Sequence, residues 1–201
     1  LGPAAIPNKV YPYHASGMAL DLGSIGKGFA LESAAELLRD LEIESAFIHG
    51  GTSTACAIGR PADAEFWNVA IEHPRFSEAA AADPDGITDE DREQSNLMTV
   101  ALRDEAMSVS AIWGKAFQVG GETYGHVMDP RTGEPTDGAV LAAVVTPSAT
   151  DTDALATGLL TIGAEGLPML ESVAPEARAL VAERSDDATS YKFHSLGLES
   201  D

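Results

Sequence analysis

The feature that most constrains the fold of this 201-residue chain is a glycine-rich turn near its start. Residues 18–22 have the composition of a short strand, three glycines follow between positions 23 and 28, and a helix is predicted over about 29–41 from the helical spacing of its apolar residues. A strand, a glycine turn and a helix in this order aim backbone amides at an anion. Lys27 is expected either to neutralise a phosphate or to lie exposed on the first helical turn.

A second segment, Asp-Thr-Asp-Ala-Leu-Ala-Thr at positions 151–157, carries candidate metal ligands. If it opens a helix, Asp153 and Thr157 lie on one face, since residues four apart are neighbours there. A carboxylate and a hydroxyl are hard oxygen ligands of the kind that Mg²⁺ prefers. The same spacing also fits a capping box, in which Thr150 and Asp153 satisfy backbone donors of their own helix. Spacing alone favours neither interpretation.

Short apolar runs separated by turn residues predict most of the strands. Gly120 and Gly121 indicate a hairpin, positions 129–133 a turn, and residues 167–172 a short second helix. This mixture of hairpins and helices predicts an α+β fold with antiparallel or mixed sheets. The predicted strands are Ala46–His49, 54–59, Trp67–Glu72, 97–102, 106–110, 124–128, 140–146, 179–181 and about 191–193.

The chain is expected to form a single domain over residues 1–201, interrupted by an acidic insertion at about 74–96. In that insertion Ala, Asp, Glu and Pro replace large apolar residues, which predicts a solvated segment with little packing of its own.

Charge excludes two classes of partner. Twelve basic against 32 acidic residues give a net charge of −20, which repels nucleic acid and anionic lipid. A hypothesis for this excess is adaptation to high salt. No run approaches the roughly 20 apolar residues of a membrane span, and no signal segment is recognisable. The sequence begins at Leu1 without a methionine, so we expect a processed form or a fragment, and the compartment is not predicted.

The single cysteine and the histidines give weaker signals. Cys56 lies in an apolar run and is predicted to be a small buried hydrophobe. His126 is expected at a strand end, where it is either a structural or surface group, or a general base or phosphate contact. The other histidines form no ligand spacing with it, so zinc is not expected.

Three segments, at residues 21–30, 125–135 and 152–158, together closely resemble the ApbE family of FAD:protein FMN transferases. The resemblance implies an α+β flavin-transferase fold and a Mg²⁺-dependent reaction. In that reaction FAD is cleaved, its FMN moiety is attached to a Thr or Ser hydroxyl of a target flavoprotein, and AMP is released. Relatives are often exported and membrane-anchored. Many carry Asp where Thr52 stands, and Ser-Gly where Ser110 and Ala111 stand.

The resemblance also implies roles for individual residues. Magnesium would be held by the side chains of Asp153 and Thr157 and by the carbonyls of Ser24 and Ala156. The flavin nucleotide would be contacted by Asp21, Lys27 and the backbone near Met128, with His126 near the phosphates. Family members usually have a longer N-terminal region that contacts the flavin and adenine rings. Two alternatives therefore stay open, a Mg²⁺-dependent FAD pyrophosphatase and a non-catalytic flavin-binding module.

Overall fold

A computed structural model describes residues 21–113, 116–119, 122–187 and 189–199 of the chain. The helices are α1 (Gly26–Asp40), α2 (Pro74–Ala82), α3 (Asp89–Glu93), α4 (Ala149–Ile162) and α5 (Leu167–Val173). The strands are β1 (Ala46–His49), β2 (Thr54–Ile58), β3 (Trp67–Glu72), β4 (Asn96–Leu102), β5 (Ala106–Ala111), β6 (Ala116–Val119), β7 (Glu122–Gly125), β8 (Leu141–Thr146), β9 (Arg178–Arg184) and β10 (Tyr191–Leu196).

A six-stranded antiparallel sheet in the order β1-β2-β5-β8-β9-β10 forms the centre of the molecule. All six residues of β8 are buried, because side chains alternate between two covered faces. Ala142 and Val144 pack in the cluster that contains Leu160 of α4. Leu141 and Val145 belong to the cluster on the other face, with core residues of the paired strands β3 and β4. The predicted α+β fold with antiparallel sheets is confirmed.

Helix α1 covers the sheet beside α4. Its buried residues Leu31 and Ala35 pack in a third cluster with Cys56, Ile58 and Ala149. Cys56 is therefore a buried core residue, as predicted, and burial raises the pKa of its thiol.

Two sequence predictions concern residues partly outside the described ranges. Of the predicted strand at 18–22, only residues 21 and 22 are described, and they are not in a strand. The predicted hairpin is present as the antiparallel pair β6 and β7, although its turn at Gly120 and Gly121 is outside the described residues. The strand predicted over 124–128 instead ends at Gly125, because the chain then enters the turn at Asp129.

The segment at 74–96, predicted to be solvated with little packing of its own, is mostly exposed, but it does form helices. The segment contains α2 and α3, and His73 caps α2 by accepting a hydrogen bond from the Arg75 amide. Glu78 of α2 accepts hydrogen bonds from Tyr191 and Arg184, at 2.6 Å each, on strands β10 and β9. A composition rich in alanine forms a helix readily once such tertiary partners fix it. Across the part of the chain that is described, no helix is long and apolar enough to cross a membrane.

Candidate functional site

Asp153 lies in the first half of α4, but it does not cap that helix. The N-cap is Ser148, whose hydroxyl accepts a hydrogen bond from the Asp151 amide at 3.1 Å. Of the two interpretations that the spacing left open, the capping box of Thr150 and Asp153 is therefore the wrong one, because the helix begins earlier than that pattern requires.

The carboxylate of Asp153 instead reaches the N-terminus of α1. Its Oδ1 accepts a hydrogen bond from Lys27 Nζ at 3.0 Å, and its Oδ2 accepts one from the Gly28 amide at 3.0 Å. Gly28 lies in the first turn of α1, which has no side-chain cap of its own. Asp153 thus satisfies one of the amides that a helix start leaves unpaired, and its negative charge faces the positive end of the helix dipole. Its side chain is only 3% exposed.

Gly28 permits the two helices to approach at this point. A Cβ atom there would lie 2.1 Å from the carbonyl oxygen of Ala149 and 2.8 Å from Cβ of Asp153. Only a residue without a side chain fits this crossing. The glycine at position 28 is therefore a requirement of helix packing.

Glu32, one turn further along α1, makes the reciprocal contact. Its Oε2 accepts hydrogen bonds from the Thr150 amide at 3.0 Å and from the Ser148 hydroxyl at 3.1 Å, and also from the Thr150 hydroxyl. Each helix start is thus satisfied by a carboxylate of the other helix. Sequence reasoning missed Glu32, because its partners lie well over a hundred residues away and only the packing of the two helices brings them together.

Hydroxyl groups on α4 form hydrogen bonds with hydroxyl groups on the central sheet. Thr157 lies one turn after Asp153 and donates to the Asp153 carbonyl at 3.1 Å, while its hydroxyl lies 3.2 Å from that of Ser110 on β5. The prediction that Asp153 and Thr157 share one side of a helix is consistent with this contact. A buried chain of hydroxyls, joining Thr54, Ser108 and Thr152 at 3.1 Å per step, links α4 to the sheet below.

The remaining predicted magnesium ligands occupy different environments. Ser24 is exposed in the turn before α1, whereas Ala156 is fully buried, with its side chain in the core between α4 and the sheet. Only their backbone carbonyls are proposed as ligands, so the burial of Ala156 does not conflict with that role.

This donor set fits Mg²⁺ and does not fit a soft metal. One carboxylate, one hydroxyl and backbone carbonyls are hard oxygen donors. Among the described residues, no group of three or more His, Cys, Asp and Glu side chains converges on one point. Such a site suits Mg²⁺, which is commonly held by one or two carboxylates together with phosphate oxygens of the substrate. Each Asp153 oxygen accepts one hydrogen bond from α1 and has capacity for a second partner.

The predicted nucleotide contacts fall into two segments. Asp21 is exposed, and its Oδ1 accepts a hydrogen bond from the Gly23 amide at 2.7 Å, which stabilises the glycine turn beside Lys27. His126 and Met128 are exposed in the connection between β7 and β8, where Met128 pairs with Pro135 in an isolated bridge.

Asp129 and Arg131 fix the turn that follows Met128. Two guanidinium nitrogens of Arg131 donate to the Asp129 carboxylate, at 2.9 and 2.6 Å, and the Arg131 amide donates to it at 2.8 Å. The hydrogen bonds from Arg131 lower the pKa of Asp129. Sequence analysis predicted a turn here from composition alone; the Asp-x-Arg spacing is the signal that could have indicated this ion pair.

A shallow cavity of about 750 Å³ lies at the opposite end of α1. It is lined by three carboxylates, Glu42, Glu44 and Asp104, and by one guanidinium, Arg39. Excess negative charge disfavours a diphosphate there. The N-termini of α1 and α4 are the better candidate.

The fold is that of an α+β protein, and a buried carboxylate of α4 at the start of α1 is its candidate site for a metal and an anion. Comparison with known families gives the finer assignment: residues 7–181 match the model of the ApbE family, and the chain belongs to that family. A FAD:protein FMN transferase of Treponema pallidum (strain Nichols) is 33% identical over 158 residues, which cover 75% of this chain and 40% of that protein. One of Vibrio cholerae is 28% identical over 171 residues, or 84% of this chain and 46% of that protein.

Solved structures have the same fold. The ApbE protein of Thermotoga maritima superposes with a TM-score of 0.67 at 23% identity, over 86% of this chain and 50% of that one. The flavin transferase ApbE of Vibrio cholerae has a TM-score of 0.67 at 25% identity, over 89% of this chain and 50% of that one. The chain therefore spans about half the length, or less, of the relatives that it matches.

Proposed function

We propose that this chain acts in FAD:protein FMN transfer. In this reaction the FMN moiety of FAD is moved, with the help of Mg²⁺, onto a Thr or Ser hydroxyl of an acceptor flavoprotein. The observation that carries the proposal is the buried Asp153 carboxylate at the start of two helices, in a chain that belongs to the ApbE family. The names of the relatives support the reaction class.

The reaction makes one bond and breaks one bond at phosphorus. The acceptor hydroxyl oxygen bonds to the FMN phosphorus, the bond from that phosphorus to the bridging oxygen breaks, and AMP leaves with the bridging oxygen. The hydroxyl proton must pass to a base. We assign this role to His126, because an imidazole can accept a proton and this side chain is exposed.

Asp153 and Thr157 would hold Mg²⁺ with the carbonyls of Ser24 and Ala156. When bound, Mg²⁺ supplies Lewis-acid stabilisation of the diphosphate and orients it. The amides at the start of α1 add partial positive charge that favours the same phosphates. Asp21, Lys27 and the backbone near Met128 would contact the flavin nucleotide.

Local cations matter more here than in most proteins. A net charge of −20 creates a field that opposes the approach of a diphosphate at low salt. Lys27 and the α1 amides offset that field at short range. We therefore expect FAD binding to strengthen when moderate salt screens the surface carboxylates.

The test is to incubate the protein with FAD, Mg²⁺ and an acceptor domain that carries a target threonine, and to weigh the acceptor by mass spectrometry. A gain of one FMN less one water supports transfer. AMP without that gain indicates an FAD pyrophosphatase, and neither product indicates a binding module. The Vibrio cholerae flavin transferase serves as the positive control for the acceptor, and Asp153→Asn as the matched variant. The Asp153→Asn side chain keeps an oxygen that can accept the hydrogen bond from the Gly28 amide, but it lacks the negative charge.

A further inference from the structure

We infer that Lys27 is an internal, displaceable cation of the metal site. Its ammonium group neutralises Asp153 when no metal is bound, and it moves to the substrate diphosphate when a divalent cation takes its place. The inference rests on the proposed function, because it concerns the same carboxylate. It adds a property of this chain, namely that metal alone binds weakly and metal with diphosphate binds well.

The ion pair has the asymmetry that this role needs. Lys27 Nζ lies 3.0 Å from Asp153 Oδ1, yet the lysine side chain is 43% exposed and the aspartate side chain is 3% exposed. The ammonium therefore lies on the solvent side of the carboxylate. A cation that arrives from solvent meets Lys27 before it meets Asp153.

The two donors to Asp153 differ in mobility. The Gly28 amide belongs to the backbone of α1 and is fixed by the close approach of α1 to Ala149. Lys27 carries its charge on a flexible four-carbon stem, so the ammonium can leave without any backbone movement. Displacement of Lys27 would free Oδ1 for a metal while Oδ2 keeps its hydrogen bond to α1.

Charge balance decides whether Mg²⁺ alone, or Mg²⁺ together with a diphosphate, displaces Lys27 from Asp153. A buried carboxylate without a partner is strongly unfavourable, so Lys27 stabilises the metal-free state. Mg²⁺ and the lysine ammonium beside a single carboxylate repel each other, which weakens the binding of metal alone. A diphosphate supplies negative charge for the released lysine, and the repulsion becomes an attraction. Metal and diphosphate should therefore bind cooperatively.

The decisive variant is Lys27→Met, which keeps an unbranched side chain and removes the charge. Calorimetric titration with MgCl₂ alone, without nucleotide, should show at least about fivefold tighter binding than in the unmodified protein, the lower range of coupling between sites. The matched control is Lys192→Met. Lys192 also lies 3.0 Å from a carboxylate, that of Asp186, but Asp186 is 97% exposed. This control should leave the affinity unchanged.

Two further variants assign the effect to the proposed contact. Lys27→Arg keeps the positive charge and should not show the tighter binding. Titration of Asp153→Asn measures Mg²⁺ bound elsewhere on this acidic surface, and the gain from Lys27→Met should vanish when the two changes are combined. ADP should increase Mg²⁺ affinity more in the unmodified protein than in Lys27→Met, because only the former has a lysine to release.

Thermal melting gives a second readout. Without metal, Lys27→Met should melt at a lower temperature than the unmodified protein, and saturating Mg²⁺ should raise its melting temperature by more. If Lys27→Met does not fold, Lys27→Gln, which retains a hydrogen-bond donor, takes its place in both measurements.

Equal or weaker Mg²⁺ binding by the folded variant overturns the inference while leaving the proposed function intact. Absence of Asp153-dependent Mg²⁺ binding in every variant, with ADP present as well as without it, overturns both. Tighter Mg²⁺ binding by Lys27→Met in a protein that yields neither AMP nor modified acceptor supports the inference and contradicts the proposed transfer.

Discussion

At the scale of single residues, Asp153 has a structural contact and a proposed metal-binding role. It satisfies an amide of α1, and it is the one carboxylate of the proposed magnesium site. Asp153→Asn should abolish Mg²⁺ binding at this site with little loss of stability. Asp153→Ala should also leave the Gly28 amide unpaired and lower the free energy of unfolding by about 1–3 kcal/mol. Urea denaturation and calorimetric titration measure the two effects. Undiminished Mg²⁺ affinity in Asp153→Asn would show that Asp153 is only a structural residue.

Gly28 is the residue whose replacement should most disturb the helix crossing. In Gly28→Ala the new methyl group meets the Ala149 carbonyl, a backbone atom that cannot move aside. We expect a loss of about 3 kcal/mol, the upper end for overpacked sites. Gly158→Ala is the control, since a Cβ at this position of α4 meets nothing within 4 Å. It should raise stability by about 1 kcal/mol through helix propensity. Similar losses in both would contradict this account of the crossing.

At the scale of elements, the contact between α1 and α4 depends on reciprocal capping. Glu32→Ala removes the acceptor of the Thr150 amide and of two hydroxyls, so it should cost about 1–3 kcal/mol of unfolding free energy. Glu36 lies one turn further along α1 and is exposed. Glu36→Ala should change stability by less than about 0.5 kcal/mol. Equal effects in a chemical denaturation series would mean that Glu32 contributes no more than a surface carboxylate.

The docking of α2 onto β10 predicts a pH dependence. Burial and the hydrogen bond to Glu78 raise the pKa of Tyr191 to about 12, above the ordinary value of 10.0. A group whose pKa is raised in the folded state contributes stability below its unfolded pKa and loses it as pH rises through the folded pKa. The contribution of Tyr191 should therefore decline between about pH 10 and 12. It should be lost at every pH in Tyr191→Phe.

Urea denaturation of both proteins at pH 8 and near pH 12 measures this decline. At pH 8 the free energy of unfolding of the unmodified protein should be about 1 kcal/mol higher than that of Tyr191→Phe. The difference should shrink toward zero near pH 12. A difference that persists there would show that the contribution of the Tyr191 hydroxyl does not depend on its protonation.

At the scale of the whole molecule, the net charge should lower stability. A charge of −20 on 201 residues produces self-repulsion that mobile ions screen. The melting temperature should rise as KCl increases from low concentration. Sucrose at matched osmolality is the control, because it adds no ions and cannot screen charge. It should therefore raise the melting temperature by less than KCl does. A flat or falling melting temperature in KCl would contradict the hypothesis of adaptation to salt.

The sequence by itself determined the local elements. Helix α1 and the central strand β8 could be predicted because apolar spacing and continuous apolar runs reflect the backbone conformation of neighbouring residues. The signature segments indicated the family, and the family-model match agrees. The strand predicted over 124–128 ends at Gly125, because strand residues and the residues of the turn at Asp129 overlap within a few positions, and sequence alone does not show where one gives way to the other.

Only the tertiary structure decided which residues of different elements contact each other. The amide of Gly28 and the carboxylate of Asp153 are 125 positions apart in the chain, and Glu78 and Tyr191 are 113 apart. Such pairs leave no periodic or local signal, because their contact depends on how helices and strands pack. For the same reason the spacing around Asp153 could not distinguish a cap from a ligand. The distinction depends on α1, which supplies both the amide that Asp153 satisfies and the lysine that faces its charge.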